Sequence, residues 1–355
     1  MKSVSPKNML AAVYTSKGNI EIQQVPVPKV GPKELLIKVE SCGICATDLK
    51  KVFSGSHTPP LIFGHEYAGT IVKTGPQIRN WKTGDRVSAY HHIPCRKCHY
   101  CKSKDYAQCE GYKKVGTTAG FKAAGGGFAQ YVLVKSWIVK EGLTKIPHHI
   151  SFDEASFLEP VNTCLKAINK LDIKKNQSVL ILGQGTVGLI LLQIALQRKA
   201  RVYVADPLSS RLKKALALGA HKTILISKSN PNHLKKLPSL GVDLSILATA
   251  HPSAIQDAMR STRNGGKILF FSQTQKHQLI PIDVGDICTS DKSIIGSYSA
   301  DADLNKETSD LIFKKKLKIK PLISHVFALK DAGKAFDLSM HPTDLSLKVM
   351  IHPWS

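Results

Sequence analysis

Ser178-Val179-Leu180-Ile181-Leu182-Gly183-Gln184-Gly185-Thr186-Val187-Gly188 carries a short apolar strand into a G-x-G-x-x-G turn, and the helical run Leu189 to Gln197 follows directly. In such a turn the first glycine allows the tight bend, the second lets backbone approach a pyrophosphate, and the third lets helix pack closely on strand. The helix N-terminus then favours the negative charge. A lone G-x-G-x-x-G is weak evidence, but this one has its strand and its helix, which makes Gly183, Gly185, Thr186, Val187 and Gly188 candidates for dinucleotide binding. The next strand, Arg201 to Ala205, ends at Asp206. That is about 20 residues past the glycines, where a carboxylate accepts hydrogen bonds from a ribose diol. It also repels a 2′-phosphate, so the cofactor expected is NAD and NADP is disfavoured. The competing reading, Asp206 as a helix N-cap with Pro207 at the first helical position, ignores the placement after the second strand. Arg211 is either an exposed helix residue or a flank to the adenosine.

Outward from this unit, the chain after about Ser156 alternates short apolar strands with amphipathic helices: strand Val242 to Ala248, helix Ala254 to Thr262, strand Lys267 to Ser272 and strand Ile294 to Ser299. This is the α/β pattern of a doubly wound parallel sheet. Upstream the pattern differs. Short β-rich runs, Leu10 to Tyr14 and Leu35 to Glu40, are separated by Pro26, Pro28, Gly31 and Pro32, and glycine-punctuated β runs continue to Val134. That region reads as a separate, mostly β domain. Beyond Ser299, the helix Leu304 to Lys315 and the β-type runs Ile323 to Leu329 and Leu347 to Ile351 are expected to return to it.

The β domain carries two cysteine-containing features. Four cysteines, Cys95, Cys98, Cys101 and Cys109, follow a C-x2-C-x2-C-x7-C spacing. Four thiolates close a tetrahedral zinc shell without water, which makes a structural site, although spacing alone leaves iron open. Separately, Gly64-His65-Glu66 sets an imidazole beside a carboxylate, and Ser41-Cys42-Gly43-Ile44-Cys45-Ala46-Thr47-Asp48 supplies a thiol, a hydroxyl and a second carboxylate at a strand-to-helix turn. Cys42 reads as a small buried hydrophobe. Cys45, two residues before the Thr47 hydroxyl, is the better ligand.

Composition bounds the answer. A chain of 355 residues suits two domains, and 43% hydrophobic with 21% charged residues is globular. No apolar stretch reaches the roughly 18 residues that span a bilayer, and Met1 to Leu10 has no apolar run of the secretory type, so no membrane role and a cytoplasmic location are expected. The net charge of +24, from 50 Lys+Arg against 26 Asp+Glu, raises nucleic-acid binding as an alternative. The lysines are dispersed, however, and the densest run, Lys314-Lys315-Lys316-Leu317-Lys318-Ile319-Lys320, reads as an exposed helix end passing into a strand. With 6% aromatics and no aromatic-rich basic stripe, a basic zinc-stabilised nucleic-acid binder is disfavoured.

Together these motifs resemble the zinc-dependent medium-chain dehydrogenase/reductase family from about Leu10 to Pro353. The resemblance implies a GroES-like catalytic domain over 1–155 and 297–355, with a zinc lobe at about 91–112, and a Rossmann NAD-binding domain over 156–296. It implies two Zn2+ per chain, the catalytic one held by Cys45, His65 and Glu159 of Leu158-Glu159-Pro160, with Glu66 as a further ligand or transient replacement. A carboxylate in place of a second cysteine at Glu159 is similar to the polyol (sorbitol) and threonine dehydrogenase branches. By the same resemblance Thr47 relays the hydroxyl proton, Asp48 orients His65, and Cys164 packs near the nicotinamide. Lys50 departs from the family, where a histidine often ends the relay. The activity implied is oxidation of a secondary alcohol (polyol, cyclitol or sugar alcohol) with hydride transfer to NAD, with threonine and simple alcohols as alternatives. The domains are expected to close over the substrate, and the partners implied are that substrate and further copies of the chain, as a dimer or tetramer.

Overall fold

A computed structural model describes residues 6–227, 233–274 and 278–355. The N-terminal stretch read above for a secretory signal includes residues 1–5, which lie outside these. Two compact units form, Met1–Asn162 with Ala300–Ser355, and Thr163–Ser299. Their boundaries fall after Asn162 and Ser299 rather than after 155 and 296. The helix Leu158–Leu171 runs unbroken across the first of these, so its first turn belongs to one unit and the remainder to the other.

In the first unit the central strand is Leu35–Gly43, paired antiparallel with Glu66–Thr74 along one edge and with Tyr131–Val134 and Lys348–His352 along the other. Ile323–Ala328 extends the sheet beside Lys348–His352, so the C-terminal run does return to this domain. The alternate inward residues Leu35, Ile37 and Val39 meet Phe63, Ile71 and Val132 in one core. Fully burying side chains of this size is worth about 1.5–3 kcal/mol each. A hairpin, Asn8–Ser16 with Asn19–Pro26, covers it; the second of these strands alternates weakly and gave no clear sequence signal. The lysines of the run Lys314 to Lys320 are all exposed, as expected, with Leu317 and Ile319 buried between them and Lys315 paired with Glu154.

One polar junction ties the C-terminal strand down. Asp153 Oδ1 accepts from Ser41 Oγ at 2.6 Å and lies 2.7 Å from His352 Nε2. The carboxylate bond raises the imidazole above its usual range, with burial opposing, while His352 and Ser41 outweigh burial to lower Asp153. A raised histidine stabilises below its unfolded pKa and loses that contribution as pH rises through its folded value; a lowered aspartate loses its contribution as pH falls through its own. The pair should therefore stabilise between roughly pH 4 and 6.5. Partial exposure limits this to about 0.5–1 kcal/mol. Urea melts of His352→Gln and the native chain should differ at pH 5.5 and converge by pH 9; a constant difference contradicts the linkage.

The second unit is a six-stranded, all-parallel sheet in the order Lys222–Leu225, Arg201–Asp206, Ser178–Leu182, Val242–Leu247, Thr262–Phe270, Ser293–Gly296. The order reverses beside Ser178–Leu182, the first strand laid down. In open parallel sheets, binding crevices form at the carboxyl ends of strands at such a reversal. Ser178–Leu182 is buried along its whole length, which explains its unbroken apolar sequence.

Candidate metal and dinucleotide sites

Cys45 caps the helix Ala46–Ser54 directly after the central strand, and His65 and Glu66 enter the neighbouring strand Glu66–Thr74. The pairing Gly43↔Glu66 sets these two segments abreast, so register alone brings a thiol from one and an imidazole and carboxylate from the other together. Ligand atoms of Cys45, His65 and Glu66 all lie within 4.8 Å of one another. Asp48, fully buried, binds His65 Nδ1 at 3.1 Å and so leaves Nε2 facing the group. Burial disfavours the charged imidazole, but Asp48 and Cys45 outweigh it and raise His65 well above its usual value. Thr47, exposed, donates to Cys45 Sγ at 3.2 Å.

Glu159, in the first turn of the helix Leu158–Leu171, is not part of that compact group. It is nonetheless electrically joined to it. Burial raises its carboxyl to about 7, with Glu66 and Asp48 adding to the rise and His65 and Lys348 opposing it.

The sequence reading missed Lys348. Its Nζ donates to Glu66 Oε2 at 2.6 Å and to Ile44 O at 3.1 Å, with both side chains of the ion pair almost wholly buried. Gly43 lies beneath this bridge, and a Cβ there would collide with Glu66 Oε2. A signal existed: Lys348 sits in the apolar strand run Lys348-Val349-Met350-Ile351, and a buried ammonium requires a partner. His91 and His92 carry no sequence signal of their own. His91 stacks 4.8 Å from His65 and 3.8 Å from His92 between ring centres. Burial, then the neighbouring cations, holds His91 well below its usual value and His92 at about 3.

The four lobe cysteines also converge within 4.8 Å. Sulfur separations are 3.9 Å for Cys95 and Cys101 and 3.6 Å for Cys98 and Cys101. Tetrahedral zinc with Zn–S of ~2.3 Å requires S···S of about 3.8 Å, so the geometry fits that ion. Backbone N–H groups of Lys97 and Cys98 lower Cys95 to about 6, toward the thiolate a metal requires.

In the second unit the glycine turn has the shape a pyrophosphate needs. Any side chain at Gly188 would collide with the Gly183 carbonyl, whereas beside Gly185 there is open space. Gly185 caps the helix Thr186–Gln197 without a side chain, so Thr186, Val187 and Gly188 form a first turn whose N–H groups are not capped by the protein. Asp206 is not the helix cap; Leu208 is. Its two oxygens accept from Gln184 N at 2.6 Å and Leu208 N at 2.9 Å, which fixes the carboxylate against the glycine turn. Arg211 is half-buried on the helix Ser209–Ala217. Cys164 is fully buried with Sγ 3.9 Å from Val187 O.

A mostly β unit holding a Cys/His/Glu group and a four-cysteine lobe, together in one chain with a parallel-sheet unit that has a dinucleotide turn, defines a zinc-dependent dehydrogenase. The profile of the family "Alcohol dehydrogenase GroES-like domain" matches residues 31–147, and that of "Zinc-binding dehydrogenase" matches 186–314. Sorbitol dehydrogenase of Bacillus subtilis is 28% identical, over 99% of both chains. L-threonine 3-dehydrogenase of Alteromonas mediterranea is 29% identical, over 92% of this chain and 95% of its own. Among solved structures, a zinc-binding dehydrogenase from Sinorhizobium meliloti bound to NADP superposes with a TM-score of 0.87 at 27% identity, covering 98% of this chain and all of the other. The chain belongs to the zinc-dependent medium-chain dehydrogenase/reductase family. It is an enzyme of the alcohol and polyol dehydrogenase type that uses zinc and NAD(P). Among the described residues no helix is long and apolar enough to cross a membrane.

Proposed function

We propose that the protein oxidises the secondary alcohol of a polyol, cyclitol or sugar alcohol to a ketone, passing hydride to NAD and releasing a proton. The observation that carries this is the Cys45-His65-Glu66 group with a second carboxylate, Glu159, where simple alcohol dehydrogenases place a thiol. Cys45, His65 and Glu66 would hold the zinc, with Glu159 as the carboxylate next to them. Zinc bound there supplies Lewis acidity toward the substrate oxygen, and NAD accepts the hydride. Asp48 keeps His65 in the ligating tautomer, and Thr47, exposed beside Cys45, takes the hydrogen bond from the substrate hydroxyl and passes the proton to water. Lys348 fixes the Glu66 carboxylate by donating to its Oε2.

The test is turnover of a panel of polyols, cyclitols, primary alcohols and threonine with NAD and NADP. A polyol or cyclitol should exceed the primary alcohols and threonine by at least tenfold in kcat/KM. Threonine as the best substrate would transfer the assignment to the threonine branch.

Asp206 supports the choice of NAD. Replacing it with Ser removes the charge that repels a 2′-phosphate, and the NAD/NADP ratio of kcat/KM should fall by at least tenfold; an unchanged ratio removes Asp206 from cofactor selection. We also read the chain as cytoplasmic, since all eight cysteines are free thiols. A homo-oligomer is supported by the edge strand Ser293–Gly296, where Ile294 is exposed. Light scattering of the purified protein checks it.

A further inference from the structure

Lys51 is a cation beside the metal group that the mechanism above leaves unused. It lies on the helix Ala46–Ser54, four residues after Thr47 and three after Asp48, and so shares their face. It is half-buried, and its Nζ stands 5.6 Å from the centre of the Phe63 ring, two residues before His65. Its positive charge lowers Asp48 and contributes to the lowering of His57, His91 and His92. Among the described residues no carboxylate pairs with it. The nearest acid, Asp48, is committed through Oδ1 to His65.

Beside His65 lie His91, 7% exposed and 4.8 Å from it between ring centres, and His92, 3.8 Å from His91, the rings tilted by nearly 50°. Neither ring makes a hydrogen bond among the described residues. Their ring nitrogens are not sealed from solvent, so they are open to a hydrogen-bonding group from outside the protein. A fixed ammonium without a counter-ion and imidazole N–H donors are together complementary to an anion, and such charge-assisted bonds are about twice as strong as neutral ones. Position agrees: at 1.5 Å rise per residue, Lys51 is roughly 6 Å along the helix from Thr47, a few carbon atoms from the reacting hydroxyl.

We infer that Lys51, His91 and His92 form an anion subsite, and that the alcohol substrate carries a carboxylate or a phosphate ester a few carbons from the carbon that is oxidised. The inference rests on the dehydrogenase reading above and narrows it from polyols in general to acidic ones. A dispersed basic surface does not account for it, because the lysine is half-buried beside the ligands. The competing role is that Lys51 only balances the charge of Asp48.

The experiment measures kcat/KM of the zinc-loaded enzyme for sorbitol, sorbitol 6-phosphate and gluconate, with NAD and with NADP. At least one of the two acidic compounds should exceed sorbitol by tenfold or more, and which one does so separates phosphate from carboxylate. That ratio should fall at least tenfold in Lys51→Ala, stay within threefold in Lys51→Arg, and shrink with added salt. Being internal to each preparation, the ratio is insensitive to partial misfolding. Sorbitol equal to or better than both acids overturns the subsite and leaves the dehydrogenase reading standing. Lys51→Ala lowering all three rates by one factor assigns the lysine to Asp48 and also overturns it. Failure of every compound in this set and in the wider panel overturns the dehydrogenase reading, and the inference with it.

Discussion

Lys348→Met is expected to destabilise the protein by about 3–5 kcal/mol, the usual range for breaking a buried ion pair by removing one partner. The expectation follows from burial, because Glu66 and Lys348 side chains are 2% and 7% exposed and 2.6 Å apart. Burial opposes the charged lysine, yet Glu66, with Cys45 and Glu159, outweighs it and raises the ammonium above its usual value. Methionine matches the stem but strands the carboxylate in an apolar setting between the central strand and the C-terminal one. Urea unfolding should show the loss. A second substitution, Glu66→Gln in the Lys348→Met background, should recover at least half of it, since the stranded charge is gone. Gly43→Ala tests the same bridge from below: the added methyl displaces Glu66 and should be destabilising although alanine suits a strand at least as well as glycine. A Lys348→Met midpoint within experimental error of the native one would mean that Glu66 is neutralised by something else.

Lys348 also shows where sequence reading reached its limit. The glycine turn and the four-cysteine lobe were legible because their partners are local, each set by a short spacing, whereas Cys45 and His65 meet through the pairing of two neighbouring strands. The parallel sheet was legible for a related reason, since strands buried on both faces leave unbroken apolar runs such as Ser178-Val179-Leu180-Ile181-Leu182. Glu66 and Lys348 are separated by 282 residues and meet only because the C-terminal strand pairs beside Gly43. No spacing rule encodes that. His91 and His92 failed differently: two adjacent histidines have no fixed meaning until stacking on His65 gives them one. The short strand Lys222–Leu225 carried too few buried positions to show a period.

Cys45→Ala should lower turnover by about 1,000-fold or more and leave binding of NAD intact. The magnitude follows from the several kcal/mol that Lewis-acid stabilisation contributes, at ~1.4 kcal/mol per tenfold in rate. The selectivity follows from the architecture, because Cys45 belongs to the first unit and the glycine turn with Asp206 to the second. Zinc analysis makes the prediction sharper. Two ligand groups occur among the described residues, and Cys45→Ala disrupts one while leaving Cys95, Cys98, Cys101 and Cys109 as they are, so the metal content should fall from two per chain to one. Asp48→Asn should act more mildly, about 10–100-fold on metal affinity or activity, since it removes only the acceptor that orients His65. Cys101→Ser should do the reverse of Cys45→Ala: it should remove the other zinc and lower thermal stability, with rate affected only through loss of folded enzyme. If Cys45→Ala keeps full turnover, the Cys45-His65-Glu66 group is not where the alcohol reacts. If it keeps two zinc per chain while losing activity, the thiol serves the reaction without holding the metal, and Glu159 takes its place among the ligands.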